Sequence, residues 1–284
     1  MKLVCYRDGG QERLGVVEGD SVRRLSGHDG DLVSLIENYD ALRSGLKADG
    51  EATPLDNVEL LAPIPRPRRN IFCVGKNYSE HAREFAGSGY EAGATTDVDE
   101  FPAVFTKPAS TVIASGQDVD LHADITDSVD YEVELTLIIG KGGKNIPAEK
   151  AHEHIWGYTI INDVTARDRQ KQHKQWFLGK SLDSFCPMGP FAVTADEVTS
   201  EDLDLQTWVN GETRQKANTR DLIFDIPSLV ATISAGLTLV PGDLIATGTP
   251  AGVGIGFNPP KFLKSGDVVE MEITGLGRLK NTFR

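Results

Sequence analysis

Alternation of apolar and polar positions, the mark of a strand with two different faces, opens the chain. Lys2-Leu3-Val4-Cys5-Tyr6 and Arg13-Leu14-Gly15-Val16-Val17 read as two strands around an Asp8-Gly9-Gly10 turn. From Asp31 to Tyr39 the spacing lengthens, with Leu32, Leu35 and Ile36 on one side of a predicted helix. Pro63, Pro65 and Pro67 then exclude helix interior and mark an extended connector. A boundary placed there divides the chain into a small N-terminal domain, residues 1–65, and a larger domain, residues 66–284.

The larger domain begins on a short apolar strand, Asn70 to Val74, followed by helix-compatible residues from Asn77 to Phe85. Gly87 to Asp99 has no period and few large apolar groups, and is expected to be a mobile loop. Further strand signals lie at Val129–Ile139, Thr159–Asn162, Phe191–Thr194, Leu205–Val209, Leu244–Thr247 and Val268–Ile273, with one clear late helix at Pro227–Ala235. Many strands with few crossover helices argue against a doubly wound sheet. The expected fold is α+β and mainly β.

Composition narrows the functional classes. Forty-two acids against 29 bases give a formal net charge of -13 over 284 residues. Such a surface repels phosphate backbones, so no nucleic-acid partner is expected. Three cysteines with no Cys-x-x-Cys pair form neither a disulfide framework nor a zinc knuckle, which favours a reducing compartment. No apolar leader follows Lys2 and no apolar run approaches a membrane span, so a cytoplasmic protein without a membrane partner is expected. Asn77-Tyr78-Ser79 matches a glycosylation sequon and is read as chance.

The most informative segment is Asp130-Tyr131-Glu132-Val133-Glu134-Leu135. Alternation puts Tyr131, Val133 and Leu135 on one face and Glu132 with Glu134 on the other. Two like charges on one strand face repel unless something offsets them. Alone, this Glu-x-Glu also fits a solvated acidic face. Gly157 to Asn162, however, is nearly apolar and ends in Asp163, and a carboxylate at the end of a buried strand needs a partner. Glu132, Glu134 and Asp163 together could offer three oxygen ligands to a hard divalent cation, leaving positions for water and substrate. A basic cluster from Arg167 to Lys174 follows, in which Arg169, Lys171 and Lys174 fit a solvated helix face. Lys180 stands in otherwise uncharged Phe177-Leu178-Gly179-Lys180-Ser181 and is the candidate for a buried, working lysine.

Across residues 70 to 282 the chain resembles the fumarylacetoacetate hydrolase superfamily. The likeness rests on ordered motifs: Val74-Gly75-Lys76-Asn77-Tyr78, His81-x-x-Glu84, Phe105-Thr106-Lys107-Pro108, Tyr131-Glu132-Val133-Glu134-Leu135, Asn162-Asp163-Val164-Thr165-Ala166-Arg167, Gly179-Lys180-Ser181 and the glycine-rich Thr247 to Gly254. The resemblance implies Mg²⁺ or Mn²⁺ on Glu132, Glu134 and Asp163, and a His81–Glu84 dyad on a short helix that closes over the substrate, with residues 77–100 as its lid. It implies that Lys180 polarises a substrate carbonyl, that Thr249 holds a carboxylate, and that Arg167 and Gln170 face the substrate. It also implies a mixed, partly open β-roll with a small N-terminal domain, assembled as a homodimer, acting on a small 2-oxo acid. Leu182 replaces the phenylalanine common in the family's Lys-Ser-Phe, which alters pocket shape.

The activity expected first is hydrolysis of a carbon–carbon bond in an acylpyruvate or related 2,4-dioxo acid, with expulsion of a metal-stabilised pyruvate enolate. The same enolate serves decarboxylation or keto–enol tautomerisation of oxaloacetate, or isomerisation of a diene dioate. A non-catalytic metal-stabilised binding protein is a third reading, and the His81–Glu84 dyad argues against it. His152-x-His154 hints at a cupin oxygenase, but no glutamate follows at cupin spacing and two surface histidines are expected instead. Cys186, with no base beside it, is expected to pack rather than react.

Overall fold

The computed structural model describes residues 1–87 and 100–284. Part of the expected loop and lid, residues 88–99, lies outside the described residues. Among them, no helix is long and apolar enough to cross a membrane.

The fold is α+β and mainly β, a mixed and partly open roll. An N-terminal meander of Lys2–Asp8, Gln11–Glu18, Ser21–Ser26 and Lys47–Pro54 forms one end of the large sheet. Lys2–Asp8 pairs antiparallel with Ala192–Thr194, so this end continues into the sheet of the larger domain. The path then runs through Ile155–Asn162, Val133–Ile139, Leu244–Ala246, Ile71–Gly75 and Ala103–Lys107. Neither helix nor strand occurs in 62–70. A separate four-stranded antiparallel sheet is built from Asp204–Val209, Glu212–Asn218, Val268–Ile273 and Gly277–Thr282.

Strand Val133–Ile139 is buried along its whole length. Leu135, Leu137 and Ile139 join one core with Tyr158 and Ile160, while Ile138 joins a second core with Trp156, Ile161 and N-terminal Leu3, Leu25 and Leu35. The sheet is therefore covered on both faces, and any polar side chain on it must find partners inside the protein.

Three expectations are corrected in detail. The single strand expected at Val129–Ile139 is two pieces, because Val129–Asp130 pairs with Thr165–Ala166 before Val133–Ile139 begins. The break has a cause: the Tyr131 amide donates to Asp130 Oδ1 at 2.9 Å and the Glu132 amide to Asn162 Oδ1 at 3.0 Å. His154 is buried rather than at the surface, its Nδ1 2.7 Å from the Lys141 carbonyl, and only His152 is exposed, beside Glu201. The helix expected from Asn77 begins instead at Ser79 and runs to Gly87. Cys186 is buried, and burial pushes its thiol up to about 12.

Gly157 marks a close crossing of strand Ile155–Asn162 with Ala192–Thr194. A Cβ there would overlap the Val193 carbonyl, and backbone cannot yield as a flexible side chain would. Gly157→Ala is expected to lower unfolding stability by about 1–3 kcal/mol, read by urea denaturation. An unchanged midpoint would show that the two strands can separate without cost.

Candidate metal and proton-transfer site

Strand pairing delivers the carboxylates. Val133 lies opposite Asn162 and Glu134 opposite Ile161, so the start of one strand meets the end of the other. The Asp163 amide donates to the Glu132 carbonyl at 2.9 Å. One oxygen from each of Glu132, Glu134 and Asp163 lies within 4.8 Å of the other two, and all three residues are buried.

Three buried cations surround them. Lys180 Nζ lies 2.7 Å from both Glu132 Oε2 and Asp163 Oδ2. Arg167 places Nη2 2.7 Å from Glu132 Oε1 and donates from Nε to Asp130 Oδ2 at 2.9 Å. Lys107 sits behind the site, its Nζ 2.7 Å from Asp163 Oδ1 and donating to the carbonyls of Val164 and Lys180. Burial lowers the Lys180 ammonium's affinity for its proton, but Asp163 and Glu132 outweigh it and hold the pKa above its ordinary value. Burial works against an ionised Glu132, yet Lys180, Arg167 and His81 bring its pKa below the usual carboxylate range.

Glu134 differs. Burial, then Asp163 and Glu132, push its pKa well above the usual value, and the Gly248 amide, donating to Oε2 at 2.9 Å, only partly offsets them. Asp163 Oδ1 is buried without an aligned hydrogen bond, the Lys107 ammonium beside it lying off the bonding line. An oxygen-only donor set with one under-compensated carboxylate and one unaligned lone pair fits a hard divalent cation.

The dyad meets this cluster across a narrow pocket lined by His81, Glu132, Glu134, Lys180, Arg167 and Thr249, among others. His81 Nδ1 is 3.2 Å from Glu84 Oε2. Glu84 in turn accepts from the Gly252 amide at 3.0 and 3.2 Å, which ties the Ser79–Gly87 helix to the glycine-rich turn. Gly256 packs so closely on Glu84 that a Cβ would overlap the carboxylate.

Gln170 and Thr249 also line the cavity. Arg167 does too, but its charge is held between Asp130 and Glu132, with Nη1 donating to Gln170 Oε1 at 3.2 Å. Thr249 accepts from Gln215 Nε2 at 2.8 Å, leaving its hydroxyl proton to be donated elsewhere.

Sequence reasoning gave no role to Lys107, Asp130, Asn77 or Gln215. The logic that singled out Asp163 could have found Lys107, a charge at the end of strand Ala103–Lys107. Asp130 orders the turn beyond Gly252, accepting from the Gly254 and Ile255 amides. Asn77 is fully buried, its side chain donating to the Thr247 and Phe224 carbonyls and accepting from the Phe224 amide, which is why the sequon is no glycan site. Gln215, on a different sheet, carries no signal in its neighbours.

With this geometry in view, the chain belongs to the fumarylacetoacetate hydrolase family: residues 70–284 match the family described as fumarylacetoacetate (FAA) hydrolase C-terminal. Residues 1–63 match a family described as Rv2993c-like, N-terminal. It is 51% identical over 228 residues to oxaloacetate tautomerase YisK of Bacillus subtilis, covering 80% of this chain and 73% of that protein. Among solved structures it resembles a fumarylacetoacetate hydrolase from Exiguobacterium antarcticum, with TM-score 0.84, 42% identity and coverage of 100% and 99% of the two chains. Maleylpyruvate hydrolase from Sphingobium, solved with manganese(II) and pyruvate, matches with TM-score 0.78, 32% identity and coverage of 100% and 98%.

Two substitutions separate the halves of the site. Lys107→Met is expected to weaken Mn²⁺ affinity by about 10–100-fold, measured by titration. Losing a nearby positive charge alone would favour a cation, but Lys107 also fixes the position of Asp163 Oδ1 and of the Val164 and Lys180 carbonyls, and loss of that order dominates. Affinity equal to or tighter than the parent's would show Lys107 to be a bystander. Gly256→Ala should displace Glu84 and reduce turnover by at least about tenfold while Mn²⁺ affinity is retained. Parental turnover in this variant would mean that Glu84 placement is not needed.

Proposed function

We propose that the chain is a divalent-metal-dependent enzyme that interconverts the keto and enol forms of a short 2-oxo acid, with oxaloacetate as its substrate and Mg²⁺ or Mn²⁺ as its cation. The observation that carries this reading is that His81, paired with Glu84, lines the same pocket as Glu132 and Glu134 of the carboxylate triad completed by Asp163. The identity with a tautomerase over four-fifths of the chain supports the same reaction.

Glu132, Glu134 and Asp163 would hold the ion. When bound, it supplies Lewis acidity that makes the carbon beside the 2-oxo group easier to deprotonate. His81, steadied through Nδ1 by Glu84, takes a proton from C3 while the 2-oxo oxygen gains one from water, and in the reverse direction the enol oxygen gives its proton to water as His81 returns one to C3. Lys180 uses two ammonium donors on Glu132 and Asp163, leaving the third for the substrate oxygen that gains charge. Thr249 donates to the proximal carboxylate. No water is consumed.

Hydrolysis of an acylpyruvate is the second reading, favoured by the likeness to maleylpyruvate hydrolase. His81 would then deprotonate water for attack on the distal carbonyl, cleaving the bond between the two carbonyl-bearing halves.

Following the ultraviolet absorbance of enol-oxaloacetate while analysing products from acetylpyruvate tests both. Metal-loaded protein is expected to speed the decay of the enol, a chelator to abolish the effect, and His81→Ala to slow it by about 10²–10⁴-fold. Cleavage of acetylpyruvate to acetate and pyruvate without any effect on the oxaloacetate enol would overturn the tautomerase reading in favour of hydrolysis.

A further inference from the structure

Glu84 can steady His81 only if its own carboxylate is held in one place. Both of its oxygens accept from the Gly252 amide, at 3.0 and 3.2 Å. That amide belongs to a glycine with φ of 102°, and a glycine's freedom in φ and ψ lets its amide and its carbonyl turn separately. Both must be tied for the amide to keep one aim.

Tyr131 ties the carbonyl. Its hydroxyl donates to the Gly252 oxygen at 2.9 Å, and its ring is fully buried in one core with Val133 and Leu135. Arg214 Nη1 lies 3.5 Å from the same hydroxyl. A guanidinium has no lone pair to accept with, so the one hydroxyl proton is left for the carbonyl. Arg214 is itself fixed: Nη2 pairs with Glu212 at 3.1 Å, and the guanidinium lies over the Phe257 ring, 5.1 Å from its centre. Other side chains hold the rest of the turn, Gln215 at the Pro250 carbonyl and Asp130 at the Gly254 and Ile255 amides. Those contacts lie outside the two peptide groups that flank Gly252. Core packing accounts for the Tyr131 ring, which a phenylalanine would fill as well, but not for a hydroxyl placed at this carbonyl.

We infer that Tyr131 is a positioning residue for the base: its hydroxyl fixes the Gly252 turn, the turn fixes Glu84, and Glu84 keeps the proton of a neutral His81 on Nδ1, so that Nε2 is the accepting nitrogen. The inference rests on the reading of His81 as the base, and it names what aligns that base.

The imidazole itself reports the alignment. Nitrogen-15 shifts of His81 are read in the Mg²⁺-loaded protein at alkaline pH, on the neutral ring, and assigned by their loss in His81→Ala. The parent is expected to hold one tautomer, protonated on Nδ1. Tyr131→Phe should mix the two tautomers and lower kcat on enol-oxaloacetate by about tenfold or more, with KM and Mn²⁺ affinity retained. Should Tyr131→Phe fail to fold, Arg214→Met replaces it, a change at a side chain 10% exposed that lets the hydroxyl turn from the carbonyl. The same mixing is expected there, with a smaller loss of kcat. Mixed tautomers in the parent would overturn the assignment. So would a single tautomer and parental kcat in the variant, with only its melting temperature lowered, since Tyr131 would then be a core residue alone. Loss of Mn²⁺ affinity in step with kcat would also overturn it, by moving the effect to the carboxylates. Tautomer mixing that follows Tyr131 in a protein without effect on enol-oxaloacetate would keep the alignment and remove the tautomerase reading.

Discussion

Three carboxylates buried within 4.8 Å of one another set the terms for the rest of this structure. Each would cost several kcal/mol to bury alone, and their mutual repulsion adds to that. Lys107, Arg167 and Lys180 offset the cost, but Asp130 draws on Arg167 as well, so the cluster remains short of positive charge. The deficit falls on Glu134, whose proton affinity is pushed upward first by burial and then by Asp163 and Glu132. A site assembled this way is poised for a divalent ion because ionising Glu134 and admitting the ion are mutually favourable.

The sheet makes that cluster possible. Glu132 and Asp163 lie at the meeting ends of adjacent strands, and Lys107 ends another strand of the same sheet. Only Arg167 and Lys180 come from short helices, Arg167–Gln172 and Phe177–Lys180, and both side chains reach back to the strand ends. Packing on both faces leaves these ends little freedom to splay and relieve the repulsion. Asp130 extends the order further, joining Arg167 to the amides of Gly254 and Ile255. The glycine-rich turn is thus registered to the buried carboxylate triad through one further carboxylate.

Much of this was readable before the fold was known, where a charge interrupted an apolar run. Asp163 ends an apolar strand, Lys180 stands alone in an uncharged stretch, and Glu132 with Glu134 on one strand face called for a partner that Asp163 made plausible, so their pairing could be argued from the chain alone. His81 and Glu84 could not be placed that way: they lie on a polar helix, and only resemblance gave them a role. Strands Ser21–Ser26, Glu212–Asn218 and Gly277–Thr282 escaped notice because charged residues on their exposed faces mask the alternation. Arg167 was expected to face substrate, and it lines the cavity, but its charge is spent on Asp130 and Glu132. Local pattern cannot reveal such a division of labour, since Asp130 is 37 residues away.

The two halves of the site are held by different kinds of force. The carboxylate triad belongs to a covered sheet, where displacement would open a core. The dyad sits on a helix of nine residues, a length at which an isolated helix is marginal in water. What holds it is specific: Glu84 against the Gly252 amide, Ala82 donating to the Tyr78 carbonyl, and Tyr78 bridged to Leu222. Gly252 itself has a φ of 102° and approaches the Arg214 carbonyl so closely that only glycine fits. The His81–Glu84 pair therefore depends on a few polar contacts to an irregular turn, while the carboxylate triad depends on the packing of the sheet that carries it. Within a shared scaffold, changes to that turn can reposition the base without disturbing the carboxylates. This is the arrangement expected of a fold whose relatives divide between tautomerase and hydrolase, since those reactions can share the cation but need the base against different atoms.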